Sequence, residues 1–263
     1  MRDNFLKALA KCLFLRTGSV RRVAFGPLRG MRYRVGEITG LSPWYSGAER
    51  EHQKAFKQLV GEGDTAVDVG ANWGLHVLYL SKLVGPRGLV VAVEPFAAAM
   101  RELEWHLRAN QCSNVKALSV ALSDRDGQAS FTLGHSAYTG HLSSLASGAS
   151  GSGVTDSESV RTRTLDSIVE ELDLKTLKVV KIDVEGAESM VLEGAAETLQ
   201  RLRPFVVVDL HTPEQDVRVA RSLTTHGYTL ERLSPGPTIR NVQKGWPDPE
   251  GVWGTILGRP AAS

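Results

Sequence analysis

From Asp64 onward the chain alternates short apolar runs with segments of helical periodicity, and this alternation restricts its fold more than any other feature. Residues 65–69 (TAVDV) form an apolar run that ends at Gly70. Residues 72–84 have helical spacing and stop at Gly85-Pro86, a helix terminator. Residues 89–93 (LVVAV) are apolar without a break, as a strand buried on both faces must be. The rhythm continues with a helix over 96–110, a strand over 115–120, strands at 179–182 and 205–210 on either side of a helix over 187–202, a helix over 214–226, and strands near 228–233 and 252–257. Such alternation predicts an α/β fold with a parallel sheet built from right-handed crossovers.

The chain has 263 residues, enough to bury a sizeable core. Its two cysteines, Cys12 and Cys112, lie far apart and lack metal-ligand spacing, which fits a reducing, cytoplasmic setting without disulfides. Charge is unevenly placed. Residues 1–36 carry nine Lys/Arg against Asp3 alone, a net of +8, which leaves −6 on the rest of a chain whose total is +2. This basic segment is expected either to touch a polyanion or an anionic membrane surface, or to be a solvated face or an arm that pairs with the acidic body. Within it, residues 5–15 (FLKALAKCLFL) read as an amphipathic helix, too short to span a bilayer, and 20–36 read as a hairpin around Gly26-Pro27. We therefore expect a basic helix-and-hairpin extension over 1–60 packed on a main domain over 61–263. Residues 134–160, rich in Ser and Gly, interrupt the α/β rhythm and are expected to form a flexible insertion beside the site.

Three places along the chain carry chemistry. In Val67-Asp68-Val69-Gly70-Ala71-Asn72-Trp73-Gly74 a buried strand ends, turns through a glycine and opens a helix. Gly70 lets the backbone approach a ligand, and ligands of open α/β sheets bind at the carboxyl ends of the strands. Glu94 follows the second strand, where an acidic residue accepts hydrogen bonds from both ribose hydroxyls of a nucleoside. The dinucleotide pattern GxGxxG is absent, and Asp68 would repel a pyrophosphate. It would attract the cationic ammonium and sulfonium of S-adenosylmethionine. The competing reading is that Asp68 only satisfies backbone groups of its turn. The third place, Lys181-Ile182-Asp183-Val184-Glu185-Gly186-Ala187-Glu188, puts carboxylates at the end of the fourth strand on the same edge of the sheet. Lys181 either lies buried beside Asp183 or points to solvent, and receives no role.

The combination DVGANWG, VEP (93–95), ALSD (121–124) and KIDVEGAE resembles the FkbM family of methyltransferases over roughly residues 60–210. GPLRG (26–30) and Thr164-Leu165-Asp166 are similar to patterns of the same family. The resemblance implies a class I methyltransferase, Rossmann-like fold: a mostly parallel seven-stranded sheet, its last strand antiparallel, with helices on both faces. It implies S-adenosylmethionine as cofactor and O-methylation of a sugar, glycan or natural-product hydroxyl. By position, Asp68, Gly70 and Asn72 would line the methionine part, Glu94 would bind the ribose, Asp124 would lie near the adenine amino group, and Asp183 and Glu185 would face the transfer site. Trp73 and His76 depart from the family's usual residues and put the local pocket shape in question.

Methyl transfer to an alcohol needs a group that takes the hydroxyl proton. The candidates are His211, at the end of the fifth strand, then Asp183 and Glu185. The alternative for His211 is a cap on the loop toward Pro213. Asp183 and Glu185 are also ligand types for a hard divalent cation that polarises a diol, but the sequence offers no complete ligand set. No nucleic acid is expected as partner, since neither a base-methylation motif nor an RNA-binding module is present. The rival readings are a non-catalytic binding module on the same fold and an NAD-dependent oxidoreductase. The sequence is silent on oligomeric state.

Overall fold

The computed structural model describes residues 18–35, 50–133, 140–143, 157–211, 213–235 and 254–261. The expected amphipathic helix at 5–15, most of the 134–160 insertion, and its His135 and Tyr138 lie outside these residues. Seven strands make the main sheet: β3 (Thr65–Val69), β4 (Leu89–Val93), β5 (Val115–Leu118), β10 (Val179–Ile182), β11 (Phe205–Leu210), β12 (Tyr228–Pro235) and β13 (Gly254–Pro260). Their spatial order is β12-β13-β11-β10-β3-β4-β5. The pairs β5–β4, β4–β3, β3–β10 and β10–β11 are parallel, and β13 enters antiparallel between β11 and β12. The expected antiparallel last strand is therefore present, inserted between its two predecessors. The order reverses between β3 and β10, where a doubly wound sheet opens its ligand crevice.

Strand alternation sorts the core into two layers. Val67, Val91, Val180 and Val206 face one layer, with helices α4 (Leu165–Glu171), α5 (Glu188–Glu193), α6 (Ala196–Arg201) and α7 (Pro213–Thr225) contributing Leu165, Leu192, Leu199 and Leu223. Ala66, Val90, Val179 and Val207 face the other, against α1 (Arg50–Leu59), α2 (Leu75–Val84) and α3 (Ala97–Ala109) through Phe56, Leu78 and Leu103. The hairpin β1 (Val20–Arg22) and β2 (Arg32–Arg34) joins this second layer. Tyr33, fully buried, stacks on His106 at 4.3 Å, and Asn110 at the end of α3 exchanges hydrogen bonds with the Arg32 backbone. The hairpin thus lies against α3, with Arg34 also paired to Glu102 at 2.9 Å. No helix among the described residues is long and apolar enough to cross a membrane.

Three boundaries differ from the sequence reading. The helix expected at 72–84 starts only at Leu75, because Asn72 (φ 49°) and Gly74 (φ 97°) hold left-handed backbone. The helix expected over 187–202 is two helices, α5 and α6, broken at Gly194. A Cβ at Gly194 would lie 2.1 Å from the Ser123 carbonyl oxygen, so the chain must pass there without a side chain. The second helix of the pair restarts against Asp166, whose carboxylate accepts the N–H of Glu197 and of Thr198. The expected 134–160 loop also contains structure: β8 (Gly140–Ser143) and the start of β9 (Ser157–Arg163) fall within it and, with β6 (Ala121–Leu122) and β7 (Gly127–Leu133) before it, form a second sheet of order β6-β9-β7-β8. Its strands are rich in polar residues, which hid them from a search for apolar runs.

Candidate active site

The carboxyl ends of β3, β4 and β10 are stitched together by backbone. Gly70 and Ala71 donate to the Val93 carbonyl at 3.0 Å each, and Asp183 donates to that of Val69 at 3.1 Å. Gly70 (φ 75°) sits so close to the next loop that a Cβ would lie 1.8 Å from the Asp183 carbonyl oxygen. Its bare backbone therefore joins the glycine turn to the Asp183 loop. For Gly70→Ala we expect a loss of about 2–5 kcal/mol in unfolding free energy, from the left-handed conformation and forced backbone displacement together. Urea denaturation measures it, and a loss under 1 kcal/mol would show that the two loops separate freely.

Glu94 closes the crevice on the β4 side. One carboxylate oxygen accepts the Asn72 N–H and the other the Phe96 N–H, both at 2.8 Å, so the side chain clamps the glycine turn to the start of α3. Burial raises its pKa to about 7, against the lowering effect of those two N–H groups and of Lys181. Asp68 is wholly buried on β3 and accepts no hydrogen bond at either oxygen. Its counter-charge is Lys181, the residue registered with it on β10, 3.3 Å away and itself 2% exposed. The ammonium also reaches Asp183 at 3.2 Å and the Gly70 carbonyl at 3.5 Å. Asn72 has a buried side-chain oxygen without a partner. Asp124 stands apart, after β6, in contact with its neighbours Ser123 and Arg125.

On the β10–β11 side, His211, Asp183 and Glu185 meet. The imidazole Nε2 lies 3.3 Å from Asp183 and 3.7 Å from Glu185, while Nδ1 lies 2.7 Å from Oε1 of Glu188. Glu188, at the start of α5, is fully buried and also accepts the Gly186 N–H at 2.9 Å. Gln215 of α7 holds this turn by donating to the Gly186 carbonyl and accepting the Ser189 N–H. Burial opposes charge on His211, but Glu188, Asp183 and Glu185 outweigh it and raise its pKa to about 9. Burial would raise Asp183 as well. The Lys181 ammonium and the His211 imidazole outweigh it and hold that carboxyl well below the usual range. Glu185 is raised by burial, although His211 offsets part of it. The cap on the Pro213 loop is thus not the contact His211 makes within the described residues; its ring is turned to carboxylates.

A neighbouring cluster escaped the sequence reading. His52 of α1 lies 2.9 Å from both oxygens of Asp209 on β11, and Thr255 of β13 donates to the same carboxylate at 2.6 Å. His76 lies against His52, with ring centroids 5.0 Å apart. Asp209 interacts electrostatically with Glu185, and His76 with Asp183, so this cluster borders the first. Glu188 also escaped it, as did the pairing of Lys181 with Asp68, although both residues stand inside the KIDVEGAE run.

A parallel sheet in this order, with an acidic residue closing the second strand and a glycine turn after the first, defines a class I S-adenosylmethionine-dependent methyltransferase. Residues 68–230 match the Methyltransferase FkbM domain, and the chain belongs to that family. It is 29% identical over 201 residues to hexuronic acid methyltransferase AglP of Haloferax volcanii, covering 75% of this chain and 78% of that one. It is 29% identical over 205 residues to the AMB antimetabolite synthetase AmbE of Pseudomonas aeruginosa, covering 62% of this chain but spanning only 9% of AmbE. A solved structure of methyltransferase FkbM from Methylobacillus flagellatus KT aligns with TM-score 0.48 at 15% identity, over 78% of this chain and 50% of that chain. An NAD-dependent oxidoreductase is set aside by this membership.

The residues present fit the cofactor: Glu94, closing β4, and the unpartnered buried Asn72 oxygen stand at the strand ends where a nucleoside would lie, and the Gly70 turn lets it approach the backbone there. If the ribose hydroxyls donate to Glu94, as its place after β4 leads us to expect, they do so with full effect only to its ionised form, whereas burial raises its pKa to about 7. A nucleoside bound in this way would expel a proton below pH 7, and S-adenosylhomocysteine affinity is expected to fall as pH drops from 7 to 5. Calorimetry in two buffers of different ionisation enthalpy would detect the proton at pH 6. Glu94→Gln should abolish both the proton release and the pH slope.

Proposed function

We propose that this methyltransferase places its methyl group on a hydroxyl oxygen of a sugar, a glycan or a natural-product small molecule. The observation that supports this most directly is the convergence of Asp183, Glu185 and His211 at the ends of β10 and β11, next to the crevice that Asp68 and Glu94 border. An alcohol is a weak nucleophile until its proton is drawn away; His211, its pKa raised to about 9, already carries its proton at neutral pH, so the Asp183 and Glu185 carboxylates beside it are the groups placed to draw the acceptor's. The name of AglP, with its hexuronic acid, supports an acceptor of sugar type.

S-adenosylmethionine supplies a methyl carbon activated by its sulfonium leaving group. The chain's own residues supply position. Glu94 fixes the ribose end, Asp68 with Lys181 sets the potential along β3, and the Gly70–Asp183 contact holds the acceptor loop against the cofactor loop. The acceptor oxygen would lose its proton toward the Asp183 and Glu185 carboxylates, which the His211 imidazolium holds in place, as its electron pair goes to the methyl carbon and the sulfonium sulfur leaves. Most of the rate gain comes from this alignment.

Incubation with methyl-labelled S-adenosylmethionine and a panel of sugars and polyols tests the reading, with the product examined by NMR. A methoxy signal is the expected result. Transfer to nitrogen or carbon, or saturable S-adenosylhomocysteine binding with no transfer to any hydroxyl, would count against it, the latter in favour of a binding module.

A further inference from the structure

We propose that Asp183, Glu185 and His211 hold a divalent cation, and that the acceptor is bound to it through two neighbouring oxygens, as a vicinal diol or a hydroxy-carboxylate. This deepens the O-methylation reading and rests on it for the acceptor, though not for the cation.

The geometry is close to what a cation requires. One ligand atom from each of the three residues lies within 4.8 Å of the others. Cis ligands of an octahedral ion with bonds of about 2.1 Å stand about 3 Å apart. Nε2 of His211 is already 3.3 Å from Oδ1 of Asp183 and 3.7 Å from Oε2 of Glu185, so small side-chain rotations complete the set. Asp183 divides its oxygens: Oδ2 faces Lys181 and Oδ1 faces the imidazole.

The shell behind His211 points the same way. A metal-bound imidazole usually gives its other nitrogen to a carboxylate, which fixes the ring and strengthens the ligand. Nδ1 of His211 is 2.7 Å from Oε1 of Glu188, a wholly buried residue whose other oxygen has no hydrogen-bond partner. Three carboxylates thus surround one imidazole, and Lys181 divides its charge between Asp183 and Asp68. A dication offsets that surplus. One imidazole and two carboxylates suit Mn²⁺ and its neighbours, and three protein ligands leave positions for two acceptor oxygens.

In the step this implies, one acceptor O–H bond breaks on ligation and its proton leaves to water, which reaches the partly exposed Asp183 and Glu185 carboxylates. The freed electron pair forms the O–CH₃ bond while the S–CH₃ pair returns to sulfur. The second oxygen stays on the cation and fixes which hydroxyl is aligned.

The test is a Mn²⁺ titration of the EDTA-treated full chain followed by electron paramagnetic resonance, with S-adenosylhomocysteine binding measured on each sample as a check of the fold. One saturable equivalent is expected, weakened at least about tenfold in both Glu185→Gln and His211→Asn while S-adenosylhomocysteine binding persists. Transfer to a vicinal diol should cease in EDTA and return with Mn²⁺. No Mn²⁺ binding by a chain that binds S-adenosylhomocysteine, or transfer indifferent to EDTA, overturns the cation site and leaves O-methylation standing. Mn²⁺ held by these residues with no methyl reaching any hydroxyl upholds the site and overturns the acceptor reading instead.

Discussion

Lys181→Met should lower the unfolding free energy by about 3–5 kcal/mol, the usual cost of stripping one partner from a buried ion pair. Lys181 is 2% exposed and Asp68 is 0% exposed, and they are registered opposite each other on β10 and β3. Without the ammonium, Asp68 would keep a charge in an apolar layer formed by Ala66, Val90, Val179 and Val207, with no hydrogen bond at either oxygen. It would have to take up a proton or let water in. Urea denaturation at pH 7 measures the loss. The double variant Lys181→Met with Asp68→Leu removes both charges and should recover most of the stability, since well-packed apolar replacements of buried pairs are often neutral or better. A single-variant loss below about 1 kcal/mol would show that the pair is solvated in solution.

His211→Asn should lower kcat by about 10²–10³-fold, the range lost when a charged donor that orients and stabilises the reacting groups is removed. The substitution is chosen for its geometry. The amide N–H₂ of asparagine lies near the position of Nδ1, so the hydrogen bond to the buried Glu188 can persist. What disappears is Nε2, the atom that faces Asp183 and Glu185. Because Glu94, Asp68 and Gly70 are untouched, S-adenosylhomocysteine should bind within about threefold of wild type, a change of under 1 kcal/mol. A steady-state assay beside a calorimetric titration separates the two effects. Wild-type turnover in this variant would remove His211 from the transfer site, whether as the charge partner of Asp183 and Glu185 or as ligand.

The two predictions differ in how far the sequence anticipates them. His211, Asp183 and Glu185 each follow an apolar strand, and strand ends in a parallel sheet share one edge, so their meeting is readable before any coordinates exist. Glu94 and Gly70 are readable for the same reason. Lys181 is not. Strand alternation places it on the face opposite Val180 and Ile182, yet nothing local says that β3 is its neighbour or that Asp68 lies in register with it. Glu188 sits three residues beyond Glu185 in an uninterrupted motif, but its task depends on a turn that Gln215 of α7 holds from far along the chain. His52 and Asp209 belong to a helix and a strand joined only by the way α1 lies on the sheet.

The sequence by itself therefore determined the α/β class, the order of the main-sheet strands along the chain, the glycine turn and the acidic strand ends, because each depends on periodicity and residue type within a few positions. The tertiary structure alone decided the Lys181 pairing, the Glu188 support behind His211, the His52–Asp209 cluster, the break at Gly194 and the small second sheet. These arise from strand register and close backbone approach between segments distant in the chain, and a side chain's partner across such a contact leaves no local trace.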